Sequence, residues 1–181
     1  PMKNILLIFI AFISVFSCKA QLPPGEYTTQ NKKAISSYED AIIYFQRGDD
    51  EKAIAEAKKA IEKDSMFVEP HCLLAEIYQT NRKNQDAIDE YIKAIAINPT
   101  FNNSNFFNLA QLEMGFGKFE DAKKDFERFL KKQFVNPASK EIALKQIDNC
   151  NFAITAMKTM TACSARVTCS SSCRRARPSS A

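Results

Sequence analysis

One histidine, six cysteines and twenty-one carboxylates are the side chains of this 181-residue chain from which acid–base, nucleophilic or metal chemistry could be built. A catalytic site needs a positioned acid, base or nucleophile and a second group that holds it. His71, the single histidine, falls where a large side chain packs between helices, and alone it makes neither a triad nor a metal site. Cys163, Cys169 and Cys173 are spaced by six and four residues, which matches no paired Cys-x-x-Cys zinc site, and no second cluster with His completes a tetrahedral set. Cys72 and Cys150 sit in helical patterns and read as small buried hydrophobes. The carboxylates Glu51 and Glu56, Asp86, Asp89 and Glu90, and Glu120 and Asp121 alternate with Lys at helical spacing, the mark of solvated faces with weak ion pairs. The four glycines are isolated, so no phosphate-cradling loop exists. The sequence therefore implies a protein that is not an enzyme and uses neither cofactor nor metal.

The elements that would hold these residues repeat. Ala41, Tyr44, Gly48, Ala53, Ile54 and Ala60 recur 34 residues on as Ala75, Tyr78, Arg82, Ala87, Ile88 and Ala94. They recur again 35 residues further as Ala110, Glu113, Gly117, Ala122, Lys123 and Phe129. Small residues return where two helices must approach closely, and larger apolar ones where neighbouring units stack. A period of this length, with helical periodicity in each half, is the signature of a helix–turn–helix solenoid. In the second copy Leu74, Ile77 and Tyr78 form one apolar stripe, and Ala87, Ile88, Tyr91, Ile92 and Ile95 another. Breaks fall at Gly48, at Asn81–Asn84, at Gly117, and at Asn98-Pro99 and Asn136-Pro137. Helices are accordingly expected at about 33–47, 50–63, 68–80, 84–97, 104–115 and 119–133, with a seventh at 138–158. The last should cover the open side of the third pair with Ile142, Ile147, Ile154 and Met157.

The ends differ from this body. Lys3 followed by the uncharged run from Ile5 to Phe16 reads as an export signal, too short to span a bilayer as an untilted helix. Two routes fit. Cleavage after Ala20 would leave a chain starting at Gln21, whereas Val15-Phe16-Ser17-Cys18 resembles a lipobox in which Cys18 becomes lipidated. From Thr159 onward the composition changes abruptly to Ser, Ala, Arg and Cys, as from a shifted reading frame, and disorder is expected. The formal charge of +4 resides there too. Residues 1–158 hold 18 Lys and 3 Arg against 21 acids, a net charge of zero, which argues against a nucleic-acid partner.

The spaced set of Ala41, Tyr44, Gly48, Ala53 and Ala60, its two copies and Pro99 resemble the tetratricopeptide repeat family. The resemblance implies an all-α fold: a right-handed superhelical array of three helix hairpins plus a C-terminal capping helix. It divides the chain into a signal (1–20), a linker (21–33), a repeat domain (34–158, with repeats at about 34–67, 68–102 and 103–136 and the capping helix at 138–158) and a tail (159–181). The export signal, the three repeats and the segment from Gln146 to Lys158 are further similar to the start of Bacteroidetes envelope proteins that continue into a WD40-like (PD40) propeller and often an OmpA-like domain. In such arrays the first helices line a concave face that binds peptides, which here implies a groove of Tyr38, Ile42 and Phe45, then Cys72, Glu76 and Gln79, then Phe107, Gln111 and Met114. Chaperone-binding members clamp a terminal carboxylate with Lys, Arg and Asn in this groove, whereas here only Asn108 is of that kind. Two function classes follow: an envelope scaffold that binds a protein segment, with Tyr38, Phe45 and Phe107 as anchors, or a spacer packing on other domains of a longer parent. Contact with a membrane would come only through a lipid on Cys18.

Overall fold

The computed structural model describes residues 27–132 and 135–175, with side chains placed through Thr161. Seven helices occupy them: α1 (Lys32–Gln46), α2 (Asp50–Lys63), α3 (Val68–Thr80), α4 (Asn84–Ile97), α5 (Ser104–Gly115), α6 (Phe119–Leu130) and α7 (Pro137–Arg175). There is no strand among the described residues. Helices pair most extensively as α1–α2, α3–α4 and α5–α6. The α2–α3 and α4–α5 contacts join one pair to the next, and α7 lies on α6. This is the all-α stack of three hairpins and a capping helix that the period of the sequence requires.

Each hairpin turn is closed in the same way. The chain leaves α1 through Gly48 at φ 78°, α3 through Arg82 at φ 58° and α5 through Gly117 at φ 73°. The following amide then reaches back five residues: Asp49 N to Tyr44 O at 3.0 Å, Lys83 N to Tyr78 O at 2.8 Å, Lys118 N to Glu113 O at 2.9 Å. Such a left-handed cap satisfies carbonyls that the helix end leaves free, and glycine adopts it without a Cβ penalty. Arg82 adopts it with one. At helix starts, Asn31 caps α1 by accepting from the Lys33 and Ala34 amides, and Asp49 caps α2 by accepting from Lys52 N at 3.2 Å. Asn136 accepts from Ala138 N at 2.8 Å with Pro137 as the first helical residue.

Ala41, Ala53, Ala60, Ala75, Ala87, Ala94, Ala110 and Ala122 are all fully buried. They let paired helices approach while Phe67, Leu74, Ile77, Ile88 and Phe126 fill the space between them. In α4 the stripe is narrower than the sequence implies, because Ile92 is 48% exposed.

The structure departs from expectation at both ends of the repeat domain. Residues 27–31, within the expected linker, are strapped to the end of α2 and the start of α3. Glu69 is buried and accepts from Thr28 N at 2.8 Å and from the Thr28 hydroxyl, Thr29 bonds Asp64, and Asn31 Nδ2 donates to Lys63 O at 2.9 Å. Tyr27 packs edge-on against Tyr38 and Phe67 at 5.7 and 5.9 Å. At the other end, α7 continues past Lys158 to Arg175, into the segment for which disorder is expected. No Gly or Pro interrupts that stretch, and its Ala, Ser and Arg allow helix to propagate. The face α7 buries is also shifted. Ala143 and Cys150 are fully buried, with Ile147 and Ile154 packed beside them, while Ile142 and Met157 are 47% and 53% exposed. Residues 143, 147, 150 and 154 hold helical register; 142 lies to its side, whereas 157 continues the register and is half-exposed. The leader residues 1–20, including Cys18, lie outside the described residues, and so do the side chains of Cys163, Cys169 and Cys173. No helix among the described residues is long and apolar enough to cross a membrane.

Candidate functional site

A groove of about 460 Å³ opens between α3 and α5. Cys72, Glu76 and Gln79 reach it from one side, Asn102, Asn105 and Asn108 from the other, and Tyr91 of α4 forms part of its floor. A hydrogen-bond chain crosses it: Asn108 Nδ2 donates to the Tyr91 hydroxyl at 3.1 Å, and that hydroxyl donates to Gln79 Oε1 at 3.2 Å. Asn105 Nδ2 donates to Cys72 Sγ at 3.2 Å. Burial pushes the Tyr91 phenol up to about 12 despite the Asn108 bond, and pushes the Cys72 thiol up to about 11. Both stay protonated at neutral pH, so the phenol remains a donor and the thiol is no nucleophile. Among the described residues no Lys or Arg lines this groove, and the one charged group there is the exposed Glu76.

The sequence places nine residues along a groove, and the structure brings only Cys72, Glu76 and Gln79 of them to this one. Tyr38 sits edge-on to Phe67 at 5.2 Å, and burial raises its phenol well above the ordinary value. Phe107 packs on Phe126 and Phe129 at 5.5 and 5.2 Å. Ile42 and Phe45 pack on the cluster of Ala41, Leu73 and Ile77, and Met114 on that of Ala110, Phe126 and Cys150. Gln111 is exposed. The aromatic rings expected as anchors thus occupy space between helices. Asn105, Asn102 and Tyr91 form the groove in their place. Their signal was present as Asn105 and Asn108, two amides three residues apart on one face of the helix, with Asn102 in the turn before it.

Buried acids form a second constellation. His71 is buried, and its Nδ1 lies 2.6 Å from Glu90 Oε2; because an ionised carboxylate only accepts, the ring donates. Lys93 Nζ donates to the other Glu90 oxygen at 2.7 Å. Burial alone would raise the Glu90 carboxyl, but these two donors outweigh it and hold it below its ordinary value. Glu90 is therefore an internal fixture and not part of the solvated face that the Lys spacing implies. In α5, burial pushes Glu113 up to about 7, with Asp125 and Asp121 adding repulsion. Among the described residues no group of three His, Cys, Asp or Glu side chains is placed to hold a metal ion.

Comparison with known proteins supports the architecture. Residues 43–81 match a family model described as TPR repeat, and residues 68–101 one described as tetratricopeptide repeat. The first TPR of Spaghetti (RPAP3), solved bound to the HSP90 peptide SRMEEVD, is 24% identical. It superposes with a TM-score of 0.58 over 68% of this chain and 94% of its own. The first TPR domain of human RPAP3 is 22% identical, with a TM-score of 0.56 over 70% of this chain and 96% of that one. The Yersinia enterocolitica type III secretion chaperone SycD, solved with a peptide of the translocator YopD, is 16% identical, with a TM-score of 0.56 over 65% and 92%. Against curated protein sequences the chain has no match.

Proposed function

The chain contains tetratricopeptide repeats stacked into an all-helical solenoid, and we propose that it is a non-enzymatic scaffold that binds a protein segment in the groove between α3 and α5. The observation that carries this reading is the row of amides there. Asn102, Asn105, Asn108 and Gln79 offer donors and acceptors at intervals that an extended main chain can match. The similar repeat domains of Spaghetti and SycD were solved with peptides bound, which supports the same use of this fold. The bound segment differs in chemistry from SRMEEVD. With Glu76 on its wall and no cation lining it, this groove would repel an acidic C-terminus and favours a neutral or basic segment. The uncharged run from Ile5 to Phe16 supports a place for the scaffold in a bacterial envelope, as a periplasmic or Cys18-anchored protein.

Panning a displayed random-peptide library against the full chain tests the reading. Selected peptides should lose at least tenfold in affinity on Asn108→Leu and on Gln79→Leu, with helicity retained and only a modest fall in melting temperature from the lost Tyr91 bond. Enrichment of peptides indifferent to both substitutions would sink it. The spacer reading is favoured by one feature, the exposure of Phe152 and Met160 on α7 at 79% and 72%. It would gain if no peptide were enriched and a longer parent chain covered those two residues.

A further inference from the structure

The three repeats place an acid at the same position of their second helices: Glu56, Glu90 and Asp125, at intervals of 34 and 35 residues. Each is bridged to a base three residues on, Lys59 at 2.6 Å, Lys93 at 2.7 Å and Arg128 at 2.8 Å. On the first helices, Tyr44 and Tyr78 are the counterparts of Glu113. Only the third repeat therefore sets a second carboxylate where the others hold a phenol. Glu113 is 7% exposed, and its Oε2 is enclosed with no hydrogen-bond partner among the described residues. Asp121 and Asp125, its acidic neighbours, are already paired with Lys124 at 3.0 Å and Arg128 at 2.8 Å. These groups line a cavity of about 380 Å³ between α4, α5 and α6, separate from the amide groove, with Ile92, Ile95 and Leu109 as its apolar walls.

A buried carboxylate without a donor is costly, and a cavity lined by that residue and by aliphatic walls is complementary to an aliphatic chain ending in a cation. We propose that this cavity receives a lysine side chain of a partner protein, its methylenes against Ile92, Ile95 and Leu109 and its ammonium donating to Glu113. An ammonium fits better than a guanidinium, because the planar fork asks for two acceptors side by side and Asp125 is already engaged by Arg128. An anionic ligand would meet Glu113, Asp121 and Asp125, three acids that Lys124 and Arg128 offset only in part. A wholly apolar one would leave the Glu113 oxygen buried and unpaired. The site is independent of the amide groove, so either can fail without the other.

The test uses the full chain with labelled Ile and Leu methyl groups, titrated at pH 8 with Nα-acetyl-lysine N-methylamide and followed by NMR. Saturable shifts should appear at Ile92, Ile95 and Leu109, and should be absent with the norleucine analogue, which lacks the ammonium. Binding should weaken roughly tenfold or more at pH 5.5, where Glu113 holds its proton. The other charged groups around it are Lys118, Asp121, Lys124, Asp125 and Arg128. The same loss should follow Glu113→Gln, and also Glu113→Tyr, which restores the residue of the first two repeats and so guards against a folding defect. The lysine site is overturned if no saturable shift occurs or if norleucine shifts the same methyls equally. It is also overturned if Glu113→Gln binds unchanged, or if 1,5-diaminopentane binds tenfold more tightly than the lysine probe, which would mark a site for a free diamine.

Discussion

The second and third repeats bury an acid at the same point and treat it in opposite ways. Glu90 receives His71 from α3 and Lys93 from its own helix, and its carboxyl is held below the ordinary value. Its counterpart Asp125 receives Arg128 alone. Phe106 stands 35 residues after His71, and Glu113 35 after Tyr78, so the third repeat offers a ring without a donor and a competing acid. Burial accordingly raises Asp125, and Glu113 more so. The backbone of the two units is alike, so the difference lies in two side chains. A repeat scaffold can hold its packing fixed while a buried position changes from a fully paired acid to one short of donors.

The largest break in this comparison should come from packing, which the two repeats share. Phe126 is fully buried at the register of Tyr91, and Phe126→Ala should cost about 3–5 kcal/mol in a urea melt. A cost below about 1 kcal/mol would mean that α7 does not press the third repeat closed. Next comes the donor that the third repeat lacks. His71→Ala leaves the buried Glu90 with Lys93 only and should cost about 1–3 kcal/mol at pH 7. The Glu90 contribution is present above the ordinary carboxyl value of 4.5 and fades as pH falls through the lowered value, so the variant should converge on the parent in strong acid.

Glu113 runs the other way. Its folded form keeps a proton that the unfolded chain releases, so its contribution is intact below 4.5 and is lost as pH rises through about 7. Glu113→Gln should therefore be more stable than the parent by roughly 1 kcal/mol at pH 8, with no such gain at pH 4.5, as melts at the two pH values would show. An equal gain at both would mean that the carboxyl is not perturbed. The smallest effect belongs to the hairpin turns. Arg82 holds the left-handed position that Gly48 and Gly117 hold elsewhere, and Arg82→Gly should stabilise by about 0.5–1 kcal/mol. Destabilisation would show that the Arg side chain makes up for its strain.

Nearly all of the architecture was legible because it is written locally. Gly48, Gly117, Pro99 and Asn136-Pro137 end or start helices through backbone geometry, and the recurring alanines mark where helices touch. Expected and observed helix limits therefore agree to a residue or two from α1 to α5. The apolar face of α7 was read correctly at Ile147 and Ile154 but one residue off at Ile142 in place of Ala143, because buried small residues leave a weaker periodic trace than exposed large ones. The groove was legible in part. Cys72, Glu76 and Gln79 follow from repeat register, whereas Tyr38 and Phe107 fill that register yet face Phe67 and Phe126, since what fills the space beside a ring depends on the neighbouring helix.

The sequence by itself determined the number of helices, their pairing and the positions of their turns, because period, propensity and capping act within one or two turns of chain. Only the tertiary structure decided the fate of the charged residues. Glu56, Glu90 and Glu113 are all glutamates in helical patterns, yet one is bridged to Lys59 beside solvent, one is locked to His71 and one has an oxygen enclosed without a partner. A carboxylate's state depends on how much water its neighbours exclude and which donors they bring within about 3 Å. Lys59 and Lys93 are local, three residues along the same helices, but the neighbour that locks Glu90 comes from another helix, 19 residues away at His71. No local pattern encodes that distance.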